Sequence, residues 1–295
     1  MTKNKFTGTG VALITPFQEN GNIDFESLDK LVEYQISGGI DYLVVMGTTG
    51  EAATLTKEEK KTVVERVCQI NAKRIPIVVG FGGNNTADVV QQIKDFKSFD
   101  NIDAILSVAP FYNKPSQQGI FLHYQSIAAV SPVPIIIYNV PGRTGVNITA
   151  ETSLKIAQEI DKVIAIKEAS GNMEQVMNIL NNKPNDFLLI SGDDALTFPM
   201  IQLGAAGVIS VIGNAFPKEW SDMVHFALKG KNKKALELHY KMLDMIQNIF
   251  KEGNPAGVKA VLHLKKITPN YLRLPLCPVS VEHYQKIAKL LEIIQ

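Results

Sequence analysis

Val163-Ile-Ala-Ile-Lys-Glu-Ala-Ser170 is a short, β-branched, apolar run that ends in a lysine. Too short for an ordinary helix and apolar throughout rather than alternating, it reads as a strand of a parallel sheet covered on both faces. Seven further runs of the same character lie around it, at residues 10–17, 42–47, 75–81, 104–110, 134–140, 187–194 and 207–213. Between them come segments with helical apolar spacing, among them 25–37, 56–72, 86–99 and 150–160, several opened by Thr or Asp as cap candidates. Thr56-Lys-Glu-Glu59 has the form of a capping box. Eight βα units fit a closed cylinder better than an open sheet, so the sequence predicts an α/β fold, a (β/α)8 TIM barrel. The eighth helix is expected near 218–230, and segments 231–251, 255–266 and 280–295 follow without another convincing strand. The reading is a catalytic barrel over residues 1–230 with appended C-terminal helices over 231–295.

Composition excludes several classes. In a chain of 295 residues, 45% hydrophobic and 20% charged content is ordinary globular usage, which argues against disorder, coiled coil and collagen. Thirty Lys and Arg against 29 Asp and Glu leave a formal charge of +1, too little field to gather nucleic acid or anionic lipid. No apolar run approaches the ~20 residues that span a bilayer, and Met1-Thr-Lys-Asn-Lys-Phe-Thr-Gly8 lacks a signal peptide's apolar stretch, so a cytoplasmic protein is expected. Cys68 and Cys277 have no CxxC spacing and read as two buried free thiols. The histidines lack ligand spacing, Gly80-Phe-Gly-Gly-Asn-Asn85 does not complete GxGxxG, and no P-loop occurs. No metal or cofactor is predicted.

Barrel enzymes collect their chemistry at the C-terminal ends of the strands, and here those ends are rich in polar groups. Lys167 stands at the tip of an apolar strand, where desolvation disfavours ammonium and leaves an amine able to attack a carbonyl. From strand position alone, an ion pair with Glu168 or Asp193 is an equal alternative. Gly47-Thr48-Thr49-Gly50 offers two hydroxyls and backbone amides to a small carboxylate, or forms a tight turn with a Thr cap. Tyr138, one strand before Lys167, could pass protons to its amine or be a core tyrosine with a satisfied hydroxyl. Arg143 follows Pro141-Gly142, and its planar fork suits a second carboxylate, unless it is simply a surface arginine. Asp193-Asp194 reads as a cap for the next helix.

Taken together, Gly47-Thr-Thr-Gly-Glu51, Tyr138-Asn-Val-Pro-Gly-Arg-Thr-Gly145, Ile166-Lys-Glu-Ala169, Ser191-Gly-Asp-Asp194, Asn254-Pro255 and Leu272-Arg-Leu-Pro275 resemble the dihydrodipicolinate synthase and N-acetylneuraminate lyase family of pyruvate-dependent class I aldolases. The likeness runs from about Phe6 to beyond Pro275. It is greatest, at residues 138–143, to the members that condense pyruvate with L-aspartate 4-semialdehyde on the route to diaminopimelate and lysine. The resemblance implies that Lys167 carries pyruvate as an imine and that Thr49 binds its carboxylate. It implies a proton relay of Thr48, Tyr138 and Tyr112, the last contributed across a dimer interface, and a place for the semialdehyde carboxylate at Arg143. Gly192 and Ile209 resemble main-chain positions of the pocket, and a homotetramer built as a dimer of dimers is implied. The family's lysine-feedback site maps near Ala52, Ala53, Lys57, Lys60, Asn84, Asp88 and Phe111. There the charges of Lys57 and Lys60 and the missing phenol of Phe111 predict weak or absent inhibition by lysine. Two rivals remain: a sister aldolase for a sugar acid such as N-acetylneuraminate or 2-keto-3-deoxygluconate, and a non-catalytic barrel that senses a ligand.

Overall fold

The computed structural model describes residues 5–294; Met1 to Asn4 and Gln295 lie outside the described residues, and with them the first half of the N-terminal stretch and the end of the 280–295 segment. Eight parallel strands close into a barrel in chain order: β1 (Gly8–Ala12), β2 (Tyr42–Val45), β3 (Ile77–Gly80), β4 (Ala104–Val108), β5 (Ile135–Asn139), β6 (Val163–Glu168), β7 (Leu188–Ser191) and β8 (Gly207–Ser210), with β8 pairing back onto β1. The connecting helices are α1 (Phe25–Ser37), α2 (Lys57–Asn71), α3 (Thr86–Asp95), α4 (Gln117–Val130), the single turn α5 (Pro141–Thr144), α6 (Ala150–Glu159), α7 (Met173–Asn182), α8 (Thr197–Gln202) and α9 (Pro217–Leu228). Then follow α10 (Asn232–Lys251), α11 (Ala256–Leu264) and α12 (Val281–Ile294). Among the described residues no helix is long and apolar enough to cross a membrane.

The caps are local chemistry. Asp24 accepts the Ser27 amide, Asn172 that of Gln175, and Thr56 and Glu59 close the expected capping box reciprocally. The 86–99 segment stops early, at Asp95. Phe96 turns extended there, so that it meets Phe81 and Phe99 edge-on at centroid separations of 5.4 and 4.9 Å, and this aromatic contact outweighs another helical turn.

Side chains of alternate strand positions form two cores. Tyr42, Val44, Val78, Leu106, Ile136, Tyr138, Ala165, Ile190 and Ile209 fill the cylinder, while Leu43, Val45, Ile77, Val79, Ile135, Ile137 and Ile166 pack outward beneath the helices. Where β8 and β1 meet at their starts only glycine fits: a Cβ at Gly207, which has φ +145°, would lie 1.9 Å from the Gly8 carbonyl oxygen. On β6 the alternation is broken once. Ile135 pairs with Val163 but Ile136 with Ala165, so β6 holds one extra residue there. Val163 faces outward, and strict alternation from it would turn Lys167 toward the helices; after the extra residue, Ala165 and Lys167 face the interior instead.

The thiols correct one expectation. Cys68 is half-buried, with its thiol pushed up to about 11 chiefly by desolvation, but Cys277 is exposed, because the strandless segment after Pro275 runs over the surface.

Candidate active site

Lys167 and Tyr138 are register partners on β6 and β5, so both side chains rise on the inner face at the same level. The amine lies 4.2 Å from the centroid of the Tyr138 ring. Both residues are buried. Desolvation lowers the Lys167 amine from 10.5 to about 7; the nearby Asp194 carboxylate opposes that fall and the Arg143 guanidinium adds to it. Burial likewise pushes the Tyr138 phenol up to about 12, so it stays protonated at neutral pH.

The ion-pair alternatives for Lys167 are not formed. Glu168, the next residue, points outward and is held by Asn139 Nδ2 at 2.9 Å, Gln175 Nε2 at 3.0 Å and the Ser170 amide at 2.7 Å. Asp193 accepts the amides of Ala195 and Leu196 in the turn before α8, whose own N-cap, Leu196, has no side-chain cap bond, so Asp193 does not cap the helix as expected. Asp194 departs from that reading too. It is buried and accepts the Val211 and Ile212 amides, each at 2.9 Å, which braces the end of β8. Burial raises this carboxyl to about 6. Gly192 is required by the lysine shaft: a Cβ there would lie 3.1 Å from both Lys167 Cγ and Cε and 2.7 Å from Ala169 Cβ. Ile209 sits in the interior core with Tyr138 and Ile190.

After β2 the chain makes a tight turn over Thr48–Gly50, closed by Gly50 N to Gly47 O and Glu51 N to Thr48 O, both 3.1 Å. The Thr48 and Thr49 amides come first in the turn and are left outside its own hydrogen bonds. The C-terminal extension grips this turn twice. Asn254 Nδ2 donates to Thr49 Oγ1 at 2.9 Å, and Lys259 Nζ donates to Glu51 Oε1 at 2.5 Å with both side chains fully buried. Glu51, held at φ 53°, also accepts the Arg273 amide. Nothing local in the sequence marks these contacts, since 205 residues separate Thr49 from Asn254; the Asn254-Pro255 pair stood out only by resemblance.

A cleft of about 830 Å³ opens beside these groups. Thr48, Tyr138, Arg143 and Asn254 form part of its wall near the strand ends, and Ala53, Lys57, Lys60 and Phe111 line its continuation toward α2. Lys167, Thr49, Gly192 and Ile209 are not on that wall; the lysine amine meets it through the Tyr138 ring. Arg143 is exposed on the α5 turn, ended by Gly145 in the left-handed region. Tyr112 is brought to neither Lys167 nor Tyr138 within the protomer. It is 87% exposed, at φ 72°, with its amide bonded to Thr144 O. Asn84 accepts from Asn113 through its carbonyl, while Asp88 lies exposed in the first turn of α3, and neither lines the cleft.

The sequence matches the family described as the dihydrodipicolinate synthetase family over residues 5–294. The chain belongs to this family. It is 55% identical to the 4-hydroxy-tetrahydrodipicolinate synthase of Parabacteroides distasonis over 284 residues, which cover 96% of this chain and 95% of that one. Among solved structures it superposes with a TM-score of 0.96 on a monomeric dihydrodipicolinate synthase variant, 37% identical, covering 99% of this chain and 97% of the other. The dihydrodipicolinate synthase of Acinetobacter baumannii, chloride-inhibited and complexed with pyruvate, gives a TM-score of 0.94 at 36% identity over 98% of each chain. The barrel therefore belongs to a family of synthases, which speaks for an enzyme rather than a non-catalytic sensor.

Proposed function

We propose that this chain is a 4-hydroxy-tetrahydrodipicolinate synthase, which joins pyruvate to L-aspartate 4-semialdehyde in the synthesis of diaminopimelate and lysine. The observation that carries the reading is a lysine amine with no ion pair among the described residues, desolvated to about 7 and set against a protonated tyrosine, in a chain 55% identical to an enzyme of that name. Residues 1–230 are the catalytic barrel and 231–295 its helical extension.

In the proposed reaction the neutral Lys167 amine attacks the ketone of pyruvate and loses water to give an imine. The imine acidifies the adjacent methyl, whose carbanion is delocalised as an enamine. Tyr138 and Thr48, with Tyr112, move the protons, and a phenol titrating near 12 does so without placing a charge in the interior. Thr49 binds the pyruvate carboxylate, with main-chain groups at Gly192 and Ile209 beside it. Arg143 receives the semialdehyde carboxylate at the rim, where a bidentate fork suits it. The enamine carbon then attacks the aldehyde, and the substrate's own amine displaces Lys167 as the ring closes. Holding the two reactants together supplies up to roughly 7–11 kcal/mol of the barrier.

A dimer in which Tyr112 of one protomer enters the site of its partner gives a role to a ring otherwise 87% exposed. Two such dimers make the proposed homotetramer, and the proposed location is the cytoplasm. Borohydride reduction in the presence of pyruvate tests the chemistry: a mass increase on the peptide containing Lys167, absent from Lys167→Ala, is expected. An unmodified Lys167 refutes the imine, and turnover of a sugar acid in preference to aspartate semialdehyde refutes the substrate.

A further inference from the structure

The hydroxyl of Thr49 is buried and has one hydrogen-bond partner among the described residues, Asn254 Nδ2, at 2.9 Å. Direction matters in this contact. An amide nitrogen only donates, so Thr49 Oγ1 accepts, and its own proton is left to point elsewhere. With the opposite orientation, Asn254 Oδ1 would take that proton and leave Thr49 nothing to give. The observed orientation leaves Asn254 Oδ1 buried without a partner among the described residues. The turn bearing Thr49 is itself fixed, by Lys259 Nζ on Glu51 at 2.5 Å and the Arg273 amide on the other Glu51 oxygen at 3.1 Å. Asn254 also forms part of the cleft wall beside Thr48.

We infer that Asn254, from the C-terminal extension, is a positioning residue that sets the hydrogen-bond polarity of Thr49, so that its hydroxyl donates to the carboxylate of the 2-oxo acid. The inference rests on the proposed binding role of Thr49 and goes beyond it, because it places a specificity determinant outside the barrel. A hydroxyl made to donate rejects a carboxylate less readily than one free to rotate or forced to accept. The contact therefore acts on binding of the oxo acid more than on the later steps.

The experiment compares Asn254→Asp and Asn254→Ala, each in wild-type and Thr49→Val backgrounds, reading KM for pyruvate and kcat separately. Asp is isosteric with Asn but, ionised, only accepts, so it captures the Thr49 proton. Asn254→Asp is expected to raise KM for pyruvate about tenfold or more, the range of one hydrogen bond to a charged group, with kcat changed less. Asn254→Ala, which leaves the hydroxyl free to rotate, is expected to raise it less. In the Thr49→Val background both substitutions lose most of their effect. As pH falls and the new carboxyl is protonated, Asn254→Asp regains a donor, and its KM ratio to the wild type shrinks. Melting curves of each variant confirm that it is folded. An unchanged KM in Asn254→Asp, a larger loss in the alanine variant, or a loss that persists in the Thr49→Val background overturns the inference. Borohydride trapping of the wild type separates the two layers: no trapping at Lys167 overturns both, whereas trapping with an unaffected Asn254→Asp overturns only this one.

Discussion

Replacing Lys167 by Met removes the proposed nucleophile and, because burial disfavours the native ammonium, should make the protein more stable. The native amine is buried and titrates at about 7, against 10.5 for an exposed lysine. At pH 7 the unfolded chain carries the proton almost fully and the folded chain only half the time. At about 1.4 kcal/mol per pH unit, folding is therefore opposed by about 4 kcal/mol at this one site. The sign follows from the depressed folded-state value. Between pH 7 and 10.5 the unfolded state binds more protons, so stability rises with pH across that window, and above it the penalty vanishes. Met has a similar straight chain and no proton to lose, so its variant escapes the penalty at every pH. Part of the gain is offset because Asp194, already raised to about 6 by burial, loses a nearby cation. The net expectation at pH 7 is a variant more stable by about 2–3 kcal/mol and inactive. Urea unfolding of both proteins at a fixed protein concentration, at steps from pH 7 to 10, measures the gap. The reasoning predicts that it narrows steadily as pH rises. A gap that does not change with pH, or a less stable variant at pH 7, refutes it.

Imine formation with pyruvate, followed by borohydride trapping at short times, should slow about tenfold for each pH unit below about 7, as the Lys167 amine is protonated. Gly192→Ala, whose Cβ would meet Ala169 Cβ at 2.7 Å and press on the lysine shaft, should fold yet lose about tenfold or more in kcat/KM for pyruvate. Lys259→Met should cost about 3–5 kcal/mol in chemical unfolding, because it strands the Glu51 carboxylate fully buried without its cation. A lysine titration of steady-state activity should show less than about twofold inhibition at millimolar concentration. In that part of the cleft Lys60 is already lowered by burial and by the charge of Lys57, so a further cation is disfavoured.

The strands and helices of the barrel were legible because each is a local pattern: β-branched runs, helical apolar spacing, and caps such as Thr56 with Glu59. The nearness of Lys167 to Tyr138 was legible for the same reason, since neighbouring strand tips share one face of a barrel, whereas Tyr112 is not brought to them within the protomer. What was not legible depends on contacts between distant segments. The early end of α3 at Asp95 follows from Phe96 meeting Phe81 and Phe99. The double role of the acidic pair at 193–194 depends on where the Val211 and Ile212 amides arrive, 17 and 18 residues after Asp194. The hold of Asn254 on Thr49 and of Lys259 on Glu51 joins segments more than 200 residues apart. No composition or spacing rule reaches that far.

The extra residue in β6 shows how narrowly the chemistry is decided. Lys167 and Glu168 are adjacent, and on one face of a strand they would be poised to pair and keep the amine as ammonium, a poor nucleophile. The pleat sends them to opposite faces, and the insertion between the pairings of Ile135 and Ile136 selects which of the two enters the cylinder. With the register shifted by one, Glu168 would occupy the dry interior, and Lys167 would lie among the polar groups of Asn139 and Gln175 that now hold the glutamate. In the observed phase the lysine faces the Tyr138 ring, with one carboxylate nearby, Asp194, whose Oδ2 is engaged by two backbone amides. That anion moderates the effect of desolvation without neutralising the amine's reactivity, which is why the amine settles near 7 and not at either extreme. The dry, depressed amine of Lys167 is thus a property of strand register before it is a property of lysine.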